Sequence, residues 1–499
     1  MARVSGVLMP ITSLPSPYGI GTIGKEARKF ADFLKAAGQS IWQILPVGPT
    51  SYGDSPYQSF STYAGNPYMI DLDTLVKEGL LTKAQIKKFY WGDNDEEIDY
   101  GAIYYSRFEV LQIAYEKFKE GDQKAFNSFK RKNAKWIKDY ALYMAVKLYF
   151  DNKAWPEWED ESIRVRDEKA VRRYTRKFKD EIDFWKWVQF EFYKQWEDFR
   201  AYVNGKGIKI LGDMPIYVAM DSADTWANPD VFWLDEERKP VCVAGCPPDY
   251  FSETGQLWGN PLYDWEYLKS TGYEWWMNRI AAADKLFDIT RIDHFRAFDT
   301  YYAIPFGSEN AINGEWMEGP GIDFFNVMND TLGDIRIVAE DLGELFDSVT
   351  ELLKESGYPG MKVLEFAFAD DDENDFLPPN YTENCVVYTG THDNDTVLGW
   401  YEQAEGWEKE HCNKFMKEYV GMDFGDAVNW KFIEAAYKSV ADYAIIQMQD
   451  ILGLGSQARI NVPSTLGGNW VWRIKKDAIT KEITDRLYKL TKTYSRLED

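Results

Sequence analysis

The sequence predicts an α/β protein built as one (β/α)8 barrel, also called a TIM barrel, and three observations lead to this fold class. Short apolar runs recur along the chain, and amphipathic segments of helical period separate most of them. Eight of the runs have the length and composition of strands. The chain of 499 residues is long enough for one barrel that carries insertions. We therefore expect residues 1–499 to form a single catalytic barrel domain.

The predicted strands follow one another with helices between them. In chain order they cover residues 5–12, 40–46, 208–218, 286–293, 334–340, 361–368, 385–391 and 458–463. The segment "KEARKFADFLKAAG" joins the first two strands, and Gly38 is placed to end this helix. The segment "GELFDSVTELLKESG" joins the fifth and sixth strands in the same way.

Two long segments interrupt the barrel pattern after the second and third strands. Residues 53–205 are charged and rich in Trp, and we expect them to form a largely helical insertion subdomain. Residues 219–270 are predicted to form a loop-rich insertion. Both leave the barrel after a strand, on the C-terminal face where active sites of this fold lie. We therefore expect the second insertion to lie over the active site.

Charge and composition exclude several classes of partner. The chain has 57 basic and 81 acidic side chains, a net charge of −24, which would repel nucleic acid and anionic membranes. No apolar window approaches the length of a membrane span, and the N-terminus lacks a signal-peptide pattern. The four cysteines are too few and scattered for a disulfide framework. We expect a soluble cytoplasmic protein with no nucleic-acid or membrane partner.

The aromatic content is unusual and favours a carbohydrate ligand. Aromatic residues make up 16% of the chain, including 20 Trp and 32 Tyr. Flat amphipathic rings stack on the apolar faces of sugars while their polar edges form hydrogen bonds. The packing of a large core explains many of these residues, but not comfortably all of them.

Nucleotide and metal sites are not predicted. Residues 19–24, "GIGTIG", match a dinucleotide-binding pattern, but "SLPSPY" separates them from the preceding strand, and the next strand does not end in an acid. The chain has no H-x-H, H-E-x-x-H or EF-hand pattern, and the acidic run at 369–375 is better explained as a solvated loop. We expect no metal and no organic cofactor.

The stretch "LFDITRIDHFRAFDT", residues 286–300, begins as an apolar strand and ends in charges. Strand alternation would place Arg291, Asp293 and Phe295 on one face, and Ile292 and His294 on the other. A neighbouring cation keeps a carboxylate ionised and lowers its pKa. An ionised carboxylate at a barrel mouth can attack a sugar anomeric carbon, although a structural ion pair is the alternative.

Other predicted strands also end in acidic residues. These are Asp213 after the third strand, Glu340 and Asp341 after the fifth, and Asp393 and Asp395, which follow His392 after the seventh. Acids at several strand ends favour catalysis in this fold. Two carboxyl groups, one ionised and one protonated, form the catalytic pair of glycosidases. Periodicity does not choose between Glu340 and Asp341, or between Asp393 and Asp395.

Several motifs together resemble one enzyme family. They are "SLPSPYGIGTIG", "WQILPVGPTSYGDSPYQSFSTYAGNPY", "GDMPIYVAMDSADTW", "PPDYFSETGQLWGNPLY", "RIDHFRAF", "VAEDLG", "GTHDNDT" and "GNWVWR". In this order, up to about residue 473, they resemble the 4-α-glucanotransferases, or amylomaltases, which are relatives of the α-amylases. The resemblance implies retaining transfer of a segment from an α-1,4-glucan or maltooligosaccharide to the 4-hydroxyl of glucose or a maltooligosaccharide. An α-1,4-glucan hydrolase is the nearest alternative, and a non-catalytic glucan-binding barrel is a more distant one.

The resemblance also assigns roles to residues. It implies that Asp293 is the nucleophile, Glu340 the general acid/base, and Asp393 the carboxylate that binds and distorts the donor sugar. The substrate contacts that it implies are Tyr57, Asp213, Arg291, His294 and His392 on the donor side, and Asp249, Gln256 and Trp258 in a loop over the acceptor side.

The departures from the family pattern are small. Glu315 and Glu318 stand where basic residues are expected, and Ser464 replaces a glycine. They leave acceptor preference open, because none of them matches a catalytic group. The chain ends soon after the last barrel elements, so we expect no separate C-terminal β-domain.

Overall fold

Strands and helices alternate through the described part of this computed structural model, residues 3–51, 53–248, 252–343, 345–370, 372–423 and 425–498. The strands are β1 (Val4–Leu8), β2 (Ile41–Gln43), β3 (Lys209–Pro215), β4 (Cys242–Cys246), β5 (Gln256–Pro261), β6 (Ile289–Asp293), β7 (Thr300–Pro305), β8 (Glu315–Glu318), β9 (Ile337–Ala339), β10 (Gly360–Val363), β11 (Cys385–Tyr388) and β12 (Tyr443–Gln447).

The helices surround these strands. They are α1 (Lys25–Ala36), α2 (Leu72–Lys77), α3 (Lys83–Ile86), α4 (Tyr100–Phe118), α5 (Lys124–Lys132), α6 (Ala134–Tyr149), α7 (Glu161–Arg164), α8 (Glu168–Lys177), α9 (Lys179–Gly205), α10 (Ala223–Ala227), α11 (Trp265–Ser270), α12 (Glu274–Leu286), α13 (Ile322–Leu332), α14 (Asp347–Ser356), α15 (Val397–Gln403), α16 (Gly406–Val420), α17 (Val428–Lys438), α18 (Met448–Leu452) and α19 (Lys481–Thr493). None of these helices combines the length and the apolar character needed to cross a membrane.

Eight strands form one parallel sheet that nearly closes into a barrel. Their order is β10-β11-β12-β1-β2-β3-β6-β9, and every pair of neighbours runs parallel. The two end strands lie side by side, because the Ala339 N–H of β9 donates to the Pro359 carbonyl beside β10 at 2.9 Å. The predicted (β/α)8 barrel is therefore confirmed.

Side chains along these strands alternate between the barrel interior and the surrounding helices. The interior contains Val4, Leu8, Ile41, Leu211, Ile289, Val338, Met361, Val363, Val386, Tyr388 and Ile445. The outer core contains Val7, Trp42, Ile210, Ile292, Ala339, Val387, Ala444 and Ile446. Because both faces are buried, each strand appears in the sequence as a continuous apolar run, and this pattern made seven of the eight strands predictable.

The eighth predicted strand, 458–463, is wrong. The strand in that place is β12, which pairs with β11 on one side and β1 on the other. Its residues run directly into α18, so a single apolar stretch contains both a strand and a helix, and periodicity does not separate them. Residues 458–463 belong to no strand; they begin at the last residue of a short 3-10 helix, Ser456–Ala458, and lie at the barrel mouth.

The two helices predicted between the first and second strands, and between the fifth and sixth, are confirmed. Helix α1 ends at Ala36, and Gly38 has φ of 72°, a left-handed conformation that favours glycine. Helix α14 lies between β9 and β10 and is followed by Gly357, also with φ of 72°. After β12, the chain up to residue 498 contains α18 and α19 but no strand.

Helices α2 to α9 lie between β2 and β3, where a helical insertion is predicted. The longest, α9, buries Trp187, Phe192 and Phe199. Phe199 packs edge-on against Trp42 of β2 at 5.6 Å, so α9 joins the insertion to the barrel wall. The proposed limits of this subdomain, 53–205, stay a prediction.

The segment after β3 is more ordered than its loop-rich sequence suggests. It contains α10, α11 and the strands β4 and β5, which join β7 and β8 in an antiparallel sheet of order β5-β4-β7-β8. Short strands such as "CVAGC" are hard to recognise because their partners lie elsewhere in the sequence. Its proposed limits, 219–270, also stay a prediction.

Candidate active site

The site lies at the C-terminal ends of β3, β6 and β9 and in the loop after β11. The register pairs Asp213 of β3 with Arg291 of β6, and Ile292 of β6 with Ala339 of β9. The residues that follow this second pair, Asp293 and Glu340, therefore stand at neighbouring strand ends. The strand alternation and the parallel register together turn their carboxyl groups toward one mouth.

Arg291 joins two carboxylates inside the barrel mouth. Its Nη1 donates to both oxygens of Asp213 at 2.9 and 2.8 Å, and its Nη2 lies 3.0 Å from Oδ1 of Asp293. Only 3% of Arg291 is exposed. Burial alone would lower the guanidinium pKa, but Asp213 and Asp293 raise it well above its ordinary value. Arg291 is thus a fixed cation beside the proposed nucleophile.

The Asp293 carboxyl has a raised pKa, not the lowered one that its arginine neighbour suggested. Burial is the largest influence and raises the pKa to about 6, while Arg291 opposes it. The sequence-based expectation considered only the cation; Arg291 is shared with Asp213, whose negative charge also raises the pKa of Asp293. Asp293 is nevertheless largely ionised at neutral pH.

Glu340 sits in a cradle of two backbone donors. The N–H groups of His294 and Leu342 donate to its two carboxyl oxygens at 2.6 and 2.8 Å. Burial raises its pKa to about 7, and the charge of Asp293 contributes to that increase. Asp341 instead accepts a hydrogen bond from the Met361 N–H at 2.6 Å, so its carboxyl is engaged by β10. This arrangement distinguishes Glu340 from Asp341, which periodicity left open.

Asp393 has two side-chain partners, one for each oxygen. The Nε2 of His392 lies 3.3 Å from Oδ2, and Nδ2 of Asn461 donates to Oδ1 at 2.6 Å. Burial is the largest single influence and would raise the Asp393 pKa, but His392, Asn461 and Arg291 together lower the pKa well below its usual range. Asp395 is 7% exposed and accepts from Ser456 Oγ at 2.6 Å, so it serves to hold the loop.

The strand alternation expected beyond Asp293 is wrong. His294 has φ of 53°, in the left-handed region, and ends the extended backbone there. Phe295 consequently packs against Phe298 and Phe325 in the outer core that also contains Ile292. Phe295 therefore does not share a face with Arg291, and His294 turns toward the mouth.

Aromatic rings lie in both parts of the site, donor and acceptor, that the family resemblance implies. Tyr57 stacks on His392 at 5.1 Å, and its hydroxyl donates to Asp213 at 2.7 Å. Trp258 meets the His294 ring edge-on at 4.8 Å, and its Nε1 donates to Gln256 at 3.1 Å. Burial lowers the pKa of His294 to about 3, so this imidazole is neutral.

Two clefts adjoin these residues. One is lined by Tyr57, Asp213 and Tyr217. The other is lined by Tyr100 and Trp470. Within the described ranges, no group of three or more His, Cys, Asp or Glu side chains is arranged to hold a metal ion.

The structure brings together every site residue predicted from the sequence except Asp249, which lies outside the described residues. It also adds Asn461, Arg459 and Trp470. Asn461 and Arg459 were missed because they fall in the wrongly predicted strand 458–463. Trp470 lies in the "GNWVWR" motif, but no sequence pattern assigned it a role.

The arrangement suits chemistry at a glycosidic bond. Near neutral pH, Asp293 is largely ionised while Glu340 retains a substantial protonated fraction, since their pKa values are about 6 and about 7. A nucleophilic carboxylate and a protonated carboxyl at neighbouring strand ends are the two groups that a retaining mechanism needs. Asp393 supplies a third, permanently negative group beside them.

Comparisons with known proteins give one consistent result. Residues 9–480 match the family model described as 4-alpha-glucanotransferase. The 4-alpha-glucanotransferase of Clostridium butyricum is 49% identical, with 98% of this chain and all of the relative covered. That of Streptococcus pneumoniae is 47% identical, with coverage of 100% and 98%. The amylomaltase from Streptococcus agalactiae, solved in complex with acarbose, has a TM-score of 0.97 at 41% identity, with coverage of 99% and 100%.

Proposed function

The chain belongs to the 4-alpha-glucanotransferase family, and we propose that Asp293, Glu340 and Asp393 carry out its retaining transfer reaction. One observation supports these roles above all: the carboxyl groups share one barrel mouth but have opposite pKa shifts, raised at Asp293 and Glu340 and lowered at Asp393. Their surroundings thus prepare one proton donor and one permanently ionised group.

In the first step, Asp293 attacks the anomeric carbon of the donor sugar. Glu340 protonates the glycosidic oxygen as the bond breaks, so the reducing-end part of the donor leaves as an alcohol. The remaining glucan is then joined to Asp293 through an ester. A separation of about 5–5.5 Å between the two carboxyl groups is expected for this geometry. The cradle formed by the N–H groups of His294 and Leu342 keeps Glu340 in place for the transfer.

In the second step, Glu340 acts as a base. It takes the proton from the 4-hydroxyl of an acceptor sugar, and that oxygen displaces Asp293 from the anomeric carbon. Two inversions restore the α configuration. The proton that Glu340 gave to the leaving group is recovered from the acceptor, so the cycle needs no metal or organic cofactor.

Asp393 binds and distorts the donor sugar in this proposal. Its low pKa keeps it ionised throughout the catalytic cycle. An ionised carboxylate can accept hydrogen bonds from sugar hydroxyls and attract the positive charge that develops on the ring in the transition state. Arg291 and His392 hold the neighbouring negative charges in fixed positions.

The proposed substrate contacts form two sets, one around Tyr57 on the donor side and one around Trp258 on the acceptor side. Tyr57, Asp213, Arg291, His294 and His392 are proposed to contact the donor sugar. Gln256 and Trp258 are proposed to line the acceptor side, together with Asp249. The substrates are α-1,4-glucans and maltooligosaccharides, with glucose or a maltooligosaccharide as acceptor; the acarbose complex of the Streptococcus agalactiae amylomaltase supports this ligand class.

We further propose a cytoplasmic location and no nucleic-acid or membrane partner. Cys242, Cys385 and Cys412 are free thiols, which suits a reducing compartment. The net charge of −24 disfavours polyanionic partners.

Incubation with maltotriose alone tests the transfer reaction. Product sizes are followed by chromatography, and total reducing ends are measured on the same samples. Glucose and a ladder of longer oligosaccharides, with constant reducing ends, are expected. Rising reducing ends with only glucose and maltose would instead identify a hydrolase, because water would then be the acceptor.

A further inference from the structure

We propose that Arg459 is a positioning residue that holds Asp393 in its working orientation. It lies in residues 456–461, here called the mouth segment, which overlaps the wrongly predicted strand 458–463. The inference rests on the role proposed above for Asp393, because Arg459 acts through that carboxylate and is not expected to touch the substrate.

The Arg459 guanidinium connects two backbones at the barrel mouth. Its Nη2 donates to the carbonyl of Asp393 at 2.6 Å, and its Nε donates to the carbonyl of Asn461 at 2.7 Å. The side chains of those same two residues meet, with Asn461 Nδ2 2.6 Å from Asp393 Oδ1. One planar, rigid group thus fixes the spacing at which Asn461 reaches Asp393.

Two side-chain contacts orient the carboxylate of Asp393, whose side chain is 43% exposed. His392 restrains one carboxyl oxygen, and Asn461 restrains the other. If the mouth segment moved, Asn461 would leave, and Asp393 would lose one of its two restraints.

Other contacts hold the beginning of the mouth segment without involving Asp393. Ser456 Oγ donates to Asp395 at 2.6 Å, and Gln449 Nε2 donates to the carbonyl of Ala458 at 3.1 Å. Next to Asn461, the Trp470 N–H donates to the Ile460 carbonyl at 2.7 Å, which also anchors the segment. Among these contacts, Arg459 is the one that ties the segment to the backbone of Asp393 itself.

The test compares Arg459→Met and Arg459→Lys with the matched control Arg200→Met. Arg200 also donates to backbone carbonyls, those of Lys285 and Phe287, but it lies on α9, away from the mouth. We expect Arg459→Met to lower kcat for maltotriose transfer by about 10- to 100-fold, because a small misplacement of a catalytic group is enough for such a loss. Arg459→Lys should recover part of the rate, and Arg200→Met should stay within about twofold of the parent.

A double-mutant cycle separates positioning from general destabilisation. Acarbose binding is measured by calorimetry for Arg459→Met, Asp393→Asn and the combined variant. Arg459→Met should weaken binding when Asp393 is present and have no further effect in Asp393→Asn. Equal weakening in both backgrounds would overturn the inference, as would unchanged kcat in both Arg459 variants.

The outcomes also distinguish this inference from the proposed function. If Asp393→Asn turns over maltotriose at the parent rate, the role of Asp393 fails, and the inference about Arg459 fails with it. If Asp393→Asn is inactive while Arg459→Met is fully active, only the inference about Arg459 fails. If Arg459→Met does not fold, Arg459→Lys takes its place, because lysine keeps the charge and most of the stem. The kcat of Arg459→Lys and its double-mutant cycle with Asp393→Asn then decide whether Arg459 positions Asp393.

Discussion

Asp293, Glu340 and Asp393 are all acidic side chains in one site, yet their surroundings give them different protonation. Desolvation dominates at Asp293 and Glu340 and raises their pKa values. At Asp393, His392 together with Asn461 and Arg291 outweighs desolvation and lowers the pKa. The difference depends on the neighbours of each carboxyl group and not on its residue type.

Replacement of Asp293 by Asn should abolish turnover. The amide cannot form the ester intermediate, so we expect a loss of roughly 1000-fold or more in kcat for maltotriose. The fold should be retained, because the substitution is isosteric and removes a carboxylate that burial disfavours. Chromatography gives the rate, and thermal melting checks the fold. A folded variant with a near-parental rate would remove Asp293 from its role.

Transfer should have a bell-shaped pH dependence with its optimum between about pH 6 and pH 7. Below the lower apparent pKa of the pair, about 6, protonation of Asp293 removes the nucleophile. Above the higher one, about 7, deprotonation of Glu340 removes the general acid. The measurement is kcat/KM for maltotriose from pH 4.5 to 9. A rate that is flat across this range would contradict the assignment of both groups.

Among the elements, the ends of β10, β11 and β12 meet in a buried acidic cluster beneath the Asp393 loop. Asp450, which follows β12, accepts from Thr389 Oγ1 at 2.6 Å and from the Val397 N–H at 2.8 Å. Burial raises the Asp450 pKa to about 7, and burial also raises that of Glu365 well above its usual value. These bonds tie the loop after β11 to α18, the helix that follows β12, at the cost of burying acids.

Asp450→Asn should remove part of the pH dependence of stability. Between its ordinary pKa of 3.8 and its folded value of about 7, Asp450 is ionised in the unfolded chain but protonated in the fold, so the parent loses stability as pH rises through this window. The amide has no such transition and can bond to Thr389 and Val397. The free energy of unfolding of the variant, minus that of the parent, should therefore rise by roughly 2 kcal/mol from pH 5.5 to pH 8.

Urea unfolding at those two pH values measures this gain. The offset from the substitution itself cancels, because it is the same at both pH values. Asp122→Asn, whose side chain is 69% exposed, serves as the control and should behave like the parent. An Asp450→Asn variant with the same pH dependence as the parent would argue against a buried, protonated Asp450.

At the scale of the whole molecule, the two ends of the barrel serve different purposes. The C-terminal end contains the site, while Arg496 is fully buried beside the start of β1, at the N-terminal end. Its guanidinium donates to the carbonyls of Val4, Ala441, Tyr437 and Ser439 at 2.8–3.1 Å. Arg496 therefore joins the C-terminal segment to the start of β1 and to the end of α17.

Arg496→Met should destabilise the molecule without changing its chemistry. The buried carbonyls would lose charged hydrogen bonds, and we expect a cost of roughly 3 kcal/mol or more. Thermal melting measures the loss, and maltotriose kinetics below the melting range should remain near the parent. Arg486→Met is the control, since the Arg486 guanidinium lies over the Trp430 ring at 4.1 Å and its side chain is less buried than that of Arg496. A strong fall in kcat with unchanged stability would be inconsistent with this structural role.

Much of the fold and site was predictable because the signals are local. Buried parallel strands form apolar runs, and the acids at their ends mark Asp293, Glu340 and Asp393 as candidates on the amino-acid sequence alone. The family resemblance is confirmed by the match over residues 9–480. The individual roles of these residues stay predictions, as does the role of Asp249.

The sequence by itself therefore determined the barrel, seven of its strands and the strand ends that carry the acids, because periodicity is a property of neighbouring residues. Only the tertiary structure decided which way the chain turns at His294, where the eighth strand lies, and that the Asn461 side chain bonds to Asp393. It also decided the sign of each pKa shift. Asn461 stands 68 positions from Asp393, and the burial of Asp293 depends on the assembled mouth. Contacts at such separations, and the desolvation they produce, arise from packing that no local pattern records.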